Sequence, residues 1–537
     1  MTEPRAVRAL KAPRVSGTAL VEPPLDSVAR LLDANAALPL DRVDLFGRSL
    51  ADVARIARAQ LLADAIRYSR QYRDVSAIPS ASPPRVILAG HQPELFHPGV
   101  WFKNFVLDRL ARRHGAVAVN LVIDNDVCRS ASIRVPAGDV DKPRAELVAF
   151  DAPGIAVPWE ERVIVDGARF RSFADRVVSA VHSLVAEPLV RDLWPHAVAA
   201  AERGAALGTA LAQARHAYEG DLGLSTLEVP LSSVCRGEAF AWFVAWLLVE
   251  APRVRGVYNV AVQAYRAANR IRSAAHPVPD LAFDGEFCEA PLWIWSRDDP
   301  RRRRLFVAGK PDRIVLTDRE GFRREIAARL DAPHHVAEQI SHLAAQGVRL
   351  RPRALTNTWF ARLALGHLFV HGIGGAKYDE VTDQIIAGLF GIEPPAYLTA
   401  TATLRLPIAH ASGAAAALET LARRRRDLAY RAEAAIARDD PAWRAVVAQK
   451  QACIQEFRAA NGRPWNRDMA RRLHSAVAAA NAALSPWTAD DLRALDAEEA
   501  RLKERVRAEQ LLESREYAFC LFPRDAIVPV LGSLADG

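Results

Sequence analysis

Cysteine is scarce in this sequence and is not arranged for metal binding. The 537 residues contain five cysteines, and no two of them form a CxxC pair. A disulfide framework needs closely spaced cysteines, and a cysteine-based zinc site needs paired ones. We therefore expect reduced, mostly buried thiols and no structural metal.

Long apolar runs are also lacking. The first fifteen residues, MTEPRAVRALKAPRV, contain no hydrophobic stretch of the kind that a secretory signal requires. The longest apolar run, residues 239–249, is too short to cross a bilayer and predicts a buried helix instead. These absences favour a cytoplasmic protein without a membrane partner.

The charge balance favours anionic ligands. The chain carries a net charge of +8, most of it from arginine. Two arginine runs, residues 301–304 and 423–426, resemble nucleic-acid patches, but no aromatic residues alternate with them as base stacking would require. We interpret the first run as a solvated turn between strands and the second as a solvated helix face. A small anionic substrate is the expected partner, and nucleic acid is not.

The stretch VILAGHQPELFHPGVWFKN, residues 86–104, places polar residues where a strand gives way to a helix. An apolar run ends at Gly90, Pro98 stands where a first helical turn tolerates proline, and an apolar helix face continues to Gly115. AVAVNLVID, residues 116–124, is a second continuous apolar strand. Strand, helix and strand in this order predict a parallel βαβ unit.

A second transition of the same kind occurs at residues 366–391, GHLFVHGIGGAKYDEVTDQIIAGLFG. The pattern predicts a strand at 368–371, a glycine loop and then a helix. The loop holds Gly372, Gly374 and Gly375, and Asp379 lies in the first turn of the helix, where a helix N-terminus favours negative charge.

Composition changes along the chain predict its domains. We expect an N-terminal helical segment at 1–84 that packs on an α/β core at 85–411, with insertions at about 160–345. Residues 412–516 are rich in Ala, Arg, Glu and Leu, with apolar residues at three- and four-residue steps. They predict a helical arm of coiled-coil type, which commonly dimerises, so we expect a homodimer. Residues 517–537 should return to the core.

In an open parallel sheet, ligands bind beyond the carboxyl ends of the strands. Three polar clusters are predicted there, at residues 90–99, 124–126 and 372–377. Backbone amides and imidazoles can hold phosphate, glycine allows close approach, and carboxylates can orient an amine or hydroxyl. The three clusters together suit a nucleotide-dependent transfer enzyme.

Each cluster also has a structural interpretation. A single histidine at 91 or 97 would suit a core or capping residue, whereas both together, beside Gln92 and Gly99, favour binding. Asp124 and Asp126 are equally consistent with strand-end caps, and a glycine cluster with a tight turn. GxGxxG after a strand, a Walker A lysine motif and a GxSxG elbow are all absent from the sequence.

These motifs resemble the bacillithiol-synthesis cysteine-adding enzyme family. AGHQPELFHPGVWFKN is similar to its Gly-Gln-Gln-Pro loop, VNLVIDNDV falls at its Glu-Asp-His-Asp stretch, and residues 348–385 resemble its segment from Leu-Arg-Pro to Gly-Gly-Pro-x-Glu. His91 replaces a glutamine, which brings the loop closer to the two-histidine loop of class I aminoacyl-tRNA synthetases. The family's Gly-Gly-Pro-x-Glu becomes GGAKY here, residues 374–378, so a proline and an acidic residue are missing.

The resemblance implies a fold and an activity. The fold would be α/β, with a Rossmann-like parallel sheet core, inserted connecting segments and a C-terminal helical coiled-coil arm. The activity would be that of a carbon–nitrogen ligase, adding cysteine or another amino acid to an amino-sugar or related small amine acceptor, with ATP or ADP as the cofactor. The family joins cysteine to an amino-sugar malate conjugate.

The expected site residues fall into three groups. The catalytic residues would be His91, His97, Asp124 and Asp126. Contacts with the nucleotide are expected from Gly90, Gln92, Gly99, Asn104, Gly372, Gly374, Gly375, Tyr378 and Asp379. Contacts with the substrate are expected from Lys103, Arg353, Lys377, Arg272 and His276.

Two other functions are compatible with the sequence. A non-catalytic protein that binds a nucleotide or an anionic metabolite could retain the pocket and lack the chemistry, and the shortened acidic stretch favours it. An RNA-binding relative of the synthetases would explain the basic charge. The sequence has no compact anticodon-type module, which argues against RNA binding.

Overall fold

The computed structural model describes residues 10–75, 84–310, 312–327, 333–460 and 467–537. The chain divides into two compact units. Unit 1 comprises residues 1–135, 146–407 and 515–537, and unit 2 comprises residues 136–145 and 408–514.

The described residues form sixteen strands and eighteen helices, apart from short 3-10 and π turns. The strands are β1 Thr18–Glu22, β2 Asp44–Leu45, β3 Arg48–Ser49, β4 Val86–His91, β5 Val117–Val122, β6 Ser132–Gly138, β7 Pro143–Ala149, β8 Leu227–Pro230, β9 Phe283–Asp284, β10 Phe287–Ser296, β11 Arg303–Lys310, β12 Arg313–Thr317, β13 Arg323–Ala327, β14 Val348–Pro352, β15 Leu368–His371 and β16 Leu398–Thr403. The helices are α1 Val28–Ala36, α2 Leu50–Ser69, α3 Pro98–His114, α4 Gly167–Arg171, α5 Phe173–Val181, α6 Val190–Glu202, α7 Leu207–Asp221, α8 Leu231–Val234, α9 Glu238–Val249, α10 Ala251–Ala268, α11 Pro333–Ala345, α12 Ala354–Phe360, α13 Ile373–Phe390, α14 Ala414–Tyr430, α15 Ala432–Ala435, α16 Pro441–Ala460, α17 Arg467–Leu512 and α18 Arg524–Asp536.

Unit 1 is a mixed α/β structure with a six-stranded central sheet in the order β1-β16-β15-β4-β5-β8. Neighbours from β16 to β8 pair in parallel, and β1 joins the edge of β16 in the antiparallel direction. The predicted βαβ unit is confirmed as β4, α3 and β5. The N-terminal segment is not purely helical, because β1 belongs to this sheet.

Burial explains why β4 and β5 form the centre of the sheet. Residues Val86–Ala89 are fully buried, and every residue of β5 is buried. Such continuous apolar runs are typical of parallel strands that are covered on both faces. Gly115 ends α3 with a φ of +57°, a left-handed conformation that glycine adopts at little cost.

A second sheet of unit 1 is antiparallel, in the order β13-β12-β11-β10-β14, with β9 paired to β10. The predicted strands at LWIWS and RLFVAG are confirmed within β10 and β11. The register of β10 against β11 shifts between Ala290 and Trp293, as in a β-bulge. This sheet contributes several side chains to the cavity described below.

Unit 2 is mostly helical. Helices α14 and α17 are antiparallel. The Ala414 amide, at the start of α14, donates to Glu509 near the end of α17, and Arg425, later in α14, pairs with Asp496, earlier in α17. Leu421, Leu428, Leu495 and Leu502 are buried between these helices. The arginine run 423–426 is exposed, as predicted.

Among the described helices, none combines the length and the apolar character that a membrane crossing requires. Of the five cysteines, Cys453 is partly buried, and the other four are buried.

Candidate functional site

A cavity of about 210 Å³ lies at the carboxyl edge of the central sheet, next to the ends of β4 and β5. We call it the edge cavity. Its lining residues come from the loops after these strands, from α10 and the loop that follows it, from the second sheet and from α12. They are Gln92, Ile123, Asn125, Asp126, Tyr258, Val278, Pro279, Trp293, Arg302, Pro352, Arg353, Ala354, Leu355 and Asn357.

Asp126 is the acceptor for two side chains of the edge cavity. Gln92 Nε2 donates to Asp126 Oδ2 at 3.1 Å, and Arg302 Nη1 donates to Asp126 Oδ1 at 3.0 Å. Arg302 Nη1 also lies 3.2 Å from the carbonyl oxygen of Asn125. The predicted residues Gln92 and Asp126 therefore meet in one site, together with an arginine that was not predicted there.

A second guanidinium lies in the same cavity. Arg353 directly precedes α12. Its Nη2 donates to Glu289 Oε1 at 2.6 Å, and its Nε donates to the carbonyl oxygen of Leu292 at 3.3 Å. The guanidinium carbons of Arg302 and Arg353 each lie 4.3 Å from the centre of the Trp293 ring. The indole therefore holds two cations beside the cavity through cation–π contacts.

Burial affects both arginines of the edge cavity. It lowers the pKa of Arg302 and the pKa of Arg353, although Asp126 and Glu289 respectively oppose this effect. An arginine side chain stays protonated in proteins, so burial raises the free energy of these charged groups instead of neutralising them. A bound anion would recover part of that free energy.

Two of the residues predicted at the N-terminus of α3, His97 and Gly99, have contacts within the fold. His97 is the N-cap of α3, and its Nδ1 accepts a hydrogen bond from the Gly99 amide at 3.1 Å. A Cβ atom at Gly99 would collide with the carbonyl oxygen of Ala402. Gly99 thus permits close packing against β16, and His97 caps the helix.

Replacing His97 by alanine should lower the free energy of unfolding by about 1 kcal/mol, because the cap is lost. His97→Asn should lower it much less, because asparagine is also an effective N-cap. Urea unfolding of both variants measures the difference. Equal stability of the two variants, with impaired ligand binding in both, would contradict the capping role.

His91 and Lys103 support the end of β4. His91 Nδ1 lies 3.1 Å from the Gln92 carbonyl oxygen, and the imidazole contacts Phe96 edge-to-face at 4.7 Å between ring centres. Lys103 Nζ donates to the Gly90 carbonyl oxygen at 2.9 Å. Burial, with a smaller contribution from Arg215, lowers the pKa of Lys103 to about 7. Neither side chain lines the edge cavity.

Asn104 belongs to a buried charged cluster. Its Nδ2 donates to Glu219 Oε1 at 2.6 Å, and Trp101 Nε1 donates to the same oxygen at 2.8 Å. Arg215 bridges Glu219 and Glu228. Asn104 therefore donates to a buried carboxylate and is engaged within the fold.

Asp124 and Asp126 line different cavities. Asp124 is 6 % exposed and accepts from the Ser232 amide at 2.9 Å and from Ser232 Oγ at 2.5 Å. Burial, reinforced by Glu160, raises the pKa of Asp124 to about 7. Asp124 lines a second cavity of about 350 Å³, the neighbouring cavity, with Asp64, Arg67, Tyr68, Gln71, Glu160, Glu161, Thr209, Pro230, Ser232, Ser233, Arg236 and Arg349.

The second glycine cluster is only partly a loop. Gly372 is the N-cap of α13, and Gly374 and Gly375 lie inside its first turn, so the predicted three-glycine loop is wrong. A Cβ atom at Gly375 would lie 2.7 Å from His371 Nδ1, so this glycine makes room for the imidazole.

Asp379 is a buried ion-pair partner. Its Oδ2 lies 2.7 Å from His371 Nε2 and 2.9 Å from Arg362 Nη1. Although burial alone would raise the pKa of Asp379, His371 and Arg362 hold it below its ordinary value. These contacts leave Asp379 engaged within the fold.

Four further predicted residues lie outside the edge cavity: Lys377, Arg272, His276 and Tyr378. The first three are exposed, and the ring of His276 lies 6.5 Å from that of Tyr378. Arg272 and His276 belong to the loop between α10 and β9 whose Val278 and Pro279 form a wall of the edge cavity.

Arg266 holds that wall in place. Its guanidinium donates to the carbonyl oxygens of Ala274, His276 and Val278 at 2.5–2.9 Å, and to Asp280 Oδ1 at 2.8 Å. One side chain thus fixes the loop at four points.

Arg266→Gln should loosen this loop, because hydrogen bonds from a charged donor are worth roughly 1.5–3 kcal/mol each. We expect faster tryptic cleavage after Arg272, measured by mass spectrometry of the fragments. Arg253→Gln, on the same helix, is the control and should leave this cleavage unchanged. Equal cleavage rates in both variants would show that Arg266 does not hold the wall.

Arg302, Trp293, Tyr258 and Asn357 line the edge cavity and were not predicted as site residues. The only signal for Arg302 was the arginine run 301–304, which we assigned to solvent. That assignment is wrong for Arg302 and Arg303, whose side chains are 17 % and 16 % exposed, and holds for Arg301 at 65 %.

The residues predicted to contact ATP or ADP have different environments in the described structure. Gly99 packs on β16, Asn104 binds Glu219, Asp379 binds His371 and Arg362, and only Gln92 of the set lines the edge cavity. Among the described residues, no group of three His, Cys, Asp or Glu side chains is placed to hold a metal ion.

The chain matches no protein-family model. No curated protein is similar enough to it to count as a match. The functional conclusion therefore depends on the residues and geometry of the site.

Proposed function

We propose that the protein binds a small anionic substrate in the edge cavity and acts on it as a carbon–nitrogen ligase. One observation carries this proposal: the cavity brings Gln92, Asp126 and Arg353, from three distant parts of the sequence, together with Arg302. All four lie at the sheet edge where parallel sheets bind ligands.

The charges support an anion. Two guanidinium groups face the cavity, and its lining contains one carboxylate, that of Asp126. Each arginine uses only part of its five N–H donors in the contacts described above. The planar guanidinium suits paired hydrogen bonds to a carboxylate or a phosphate.

The size of the cavity supports a small ligand. Its volume of about 210 Å³ is below the range of roughly 300–1,000 Å³ that is usual for drug-sized ligands. A carboxylate of a few carbon atoms fits this volume better than a nucleotide. Use of ATP or ADP stays a prediction, and we derive no step from it.

Asp126 has the role that ligation requires. Forming an amide makes a bond between the amine nitrogen and the carboxyl carbon and breaks a C–O bond of the carboxyl group, so that one oxygen departs and, over the whole reaction, one water is lost. The amine nitrogen also has to give up a proton to a nearby base. Asp126 is the carboxylate of the edge cavity and is 38 % exposed, so an amine can reach it. Gln92 and Arg302 fix its orientation, which is the positioning that catalysis demands.

Two experiments test the proposal in sequence. L-malate is the acidic part of the conjugate used by the family that the sequence resembles. It should raise the melting temperature, because a ligand at a hundred times its dissociation constant adds about 2.7 kcal/mol to the free energy of unfolding. The protein should then convert the amino-sugar malate conjugate, with cysteine and ATP, into a product heavier by one cysteine less one water, as measured by mass spectrometry. Malamide, the uncharged analogue of malate, is the control for binding.

A non-catalytic protein that binds an anionic metabolite is the second candidate. It is favoured by His97, which caps α3, and by Lys103 and Asn104, which are engaged within the fold. Binding of L-malate without product formation for any amino acid would support this candidate and contradict the ligase.

For the fold, we infer that the parallel part of the central sheet is a Rossmann-like core and that α14–α17 form a coiled-coil-type arm. We also propose a homodimer through this arm. Its leucines already pack between α14 and α17, so dimerisation would use the remaining surface of these helices. Sedimentation of the full-length protein at micromolar concentration tests the dimer, and a monomer would contradict it.

A further inference from the structure

We propose that one face of the helical arm binds single-stranded nucleic acid. The face lies at the end of α14, where an open depression of about 660 Å³ is lined by Arg423, Arg426, Asp427, Tyr430 and Arg431. We call it the arm depression. It belongs to unit 2, whereas the edge cavity belongs to unit 1, so this proposal goes beyond the proposed function.

Helix geometry brings an aromatic ring next to the arginine run 423–426. Arg426 and Tyr430 follow Arg423 by three and seven residues, and side chains at this spacing lie on one face of a helix. The sequence argued against nucleic acid because no aromatic residue alternates with these arginines. In α14, Tyr430 lies about one turn beyond Arg426 on the same face. Phosphate contacts and base stacking are therefore both possible there.

The arm depression carries positive charge that the fold does not neutralise. Asp427 accepts from Arg431 Nη2 at 2.6 Å, so these two charges compensate each other. Arg423 lies 3.7 Å from Glu419, and both side chains are mostly exposed, so this pair contributes little. Within the described part of the chain, Arg426 has no ion-pair or hydrogen-bond partner. The guanidinium groups of Arg423 and Arg426 are thus available for phosphate.

Tyr430 presents its ring to solvent from a fixed backbone. The residue is 64 % exposed, and among the described residues its ring has no aromatic or cation–π contact. Lys450, which is buried, donates from Nζ to the Tyr430 carbonyl oxygen at 2.8 Å and to Glu433 Oε2 at 2.7 Å. Proteins that bind single strands stack bases on such rings, beside cations that contact the backbone.

The burial of α14 favours nucleic acid over a membrane surface. Leu421 and Leu428 are buried against α17, so the apolar face of α14 is not available to enter lipid as in an interfacial amphipathic helix. An acidic peptide would pair with the arginines but has no base to stack on Tyr430. The phosphates and unpaired bases of a single strand match both features.

Fluorescence anisotropy of the full-length protein with a labelled oligouridylate of about ten nucleotides tests the proposal. Oligoglutamate of the same length carries negative charge without bases, and phosphatidylserine vesicles present an anionic lipid surface. We expect the oligouridylate to bind roughly fivefold or more tightly than the oligoglutamate, because only the oligouridylate can stack. No binding of the oligouridylate, equal binding of the oligoglutamate, or binding to the vesicles alone would overturn the proposal.

Three variants separate stacking from charge. Tyr430→Ala should weaken oligouridylate binding by roughly fivefold or more, without changing the slope of log affinity against log salt concentration. Tyr430→Phe retains the ring and should bind normally. Arg426→Gln should make the salt slope shallower by about 0.7, the value for one phosphate contact on a single strand.

Arg505→Gln is the matched control. Arg505 is an exposed arginine of α17 outside the arm depression, so its variant has the same change of charge and should keep the salt slope of the wild type. Arg426 and Tyr430 are exposed, and urea unfolding should show that their variants keep the stability of the wild type. Equal slopes in Arg426→Gln and Arg505→Gln, or equal weakening in Tyr430→Phe and Tyr430→Ala, would contradict the assignment.

Sedimentation of the same variants tests whether a second copy of this chain covers the face instead. We expect Arg426→Gln and Tyr430→Ala to keep the sedimentation coefficient of the wild type. A change in that coefficient, with oligouridylate binding unaltered, would assign the face to contacts between copies and overturn the proposal.

Discussion

Arg302→Gln should weaken the binding of L-malate by about 10- to 100-fold, because a charge-assisted hydrogen bond worth roughly 1.5–3 kcal/mol is lost. Arg302 contacts Asp126 and Trp293 at the edge cavity, so its loss removes both a positive charge and the group that orients Asp126. The remaining cation, Arg353, should retain weak binding. Isothermal titration of the variant measures this change.

The adjacent arginine provides the control. Arg301 is 65 % exposed and pairs with Asp299 on the surface, so Arg301→Gln should leave the affinity for L-malate unchanged. A general effect of positive charge in the arginine run would instead weaken binding equally in both variants. That result would remove the basis for placing the anion between Arg302 and Arg353.

Arg215→Met should destabilise unit 1 by about 3–5 kcal/mol, because it leaves two buried carboxylates without their cation. Arg215 donates to Glu219 at 2.8 and 2.9 Å and also pairs with Glu228. Both carboxylates are fully buried. Burial raises the pKa of Glu228, although Arg215 opposes this effect. The expected loss is a large part of the 5–15 kcal/mol typical of folded domains.

Urea unfolding monitored by tryptophan fluorescence measures this loss. Arg109→Met is the control, since Arg109 and Asp536 form an exposed pair that should contribute less than about 1 kcal/mol. Adding Glu219→Gln and Glu228→Gln to Arg215→Met should restore part of the stability, because neutral amides are cheaper to bury than carboxylates. Equal stability of Arg215→Met and Arg109→Met would show that the buried cluster contributes little.

The sequence predicted those parts of the fold that follow from local pattern. Continuous apolar runs bounded by Gly90 and Gly115 are sufficient to place β4, α3 and β5. The end of a parallel strand also determines where Gln92 and Asp126 lie. These two residues were predicted at the site and do line the edge cavity.

The remaining features depend on contacts between distant segments. Gly99 is required by the carbonyl oxygen of Ala402, which lies about three hundred residues further along the chain. Arg302 reaches the edge cavity because the segment before β11 contacts the turn after β5, where Arg302 binds Asn125 and Asp126. The local sequence of an arginine run does not show this contact. Asp124 and Asp126 line different cavities because the turn between them redirects the side chains.

The central claim is that the edge cavity holds a small anion, and a crystal structure of the protein with L-malate tests it most directly. The account predicts a malate carboxylate within hydrogen-bond distance of Arg302 and Arg353, with Asp126 facing the rest of the ligand. Malate bound instead at the N-terminus of α3 between His91 and His97, or an edge cavity without malate at saturating concentration, would contradict the account.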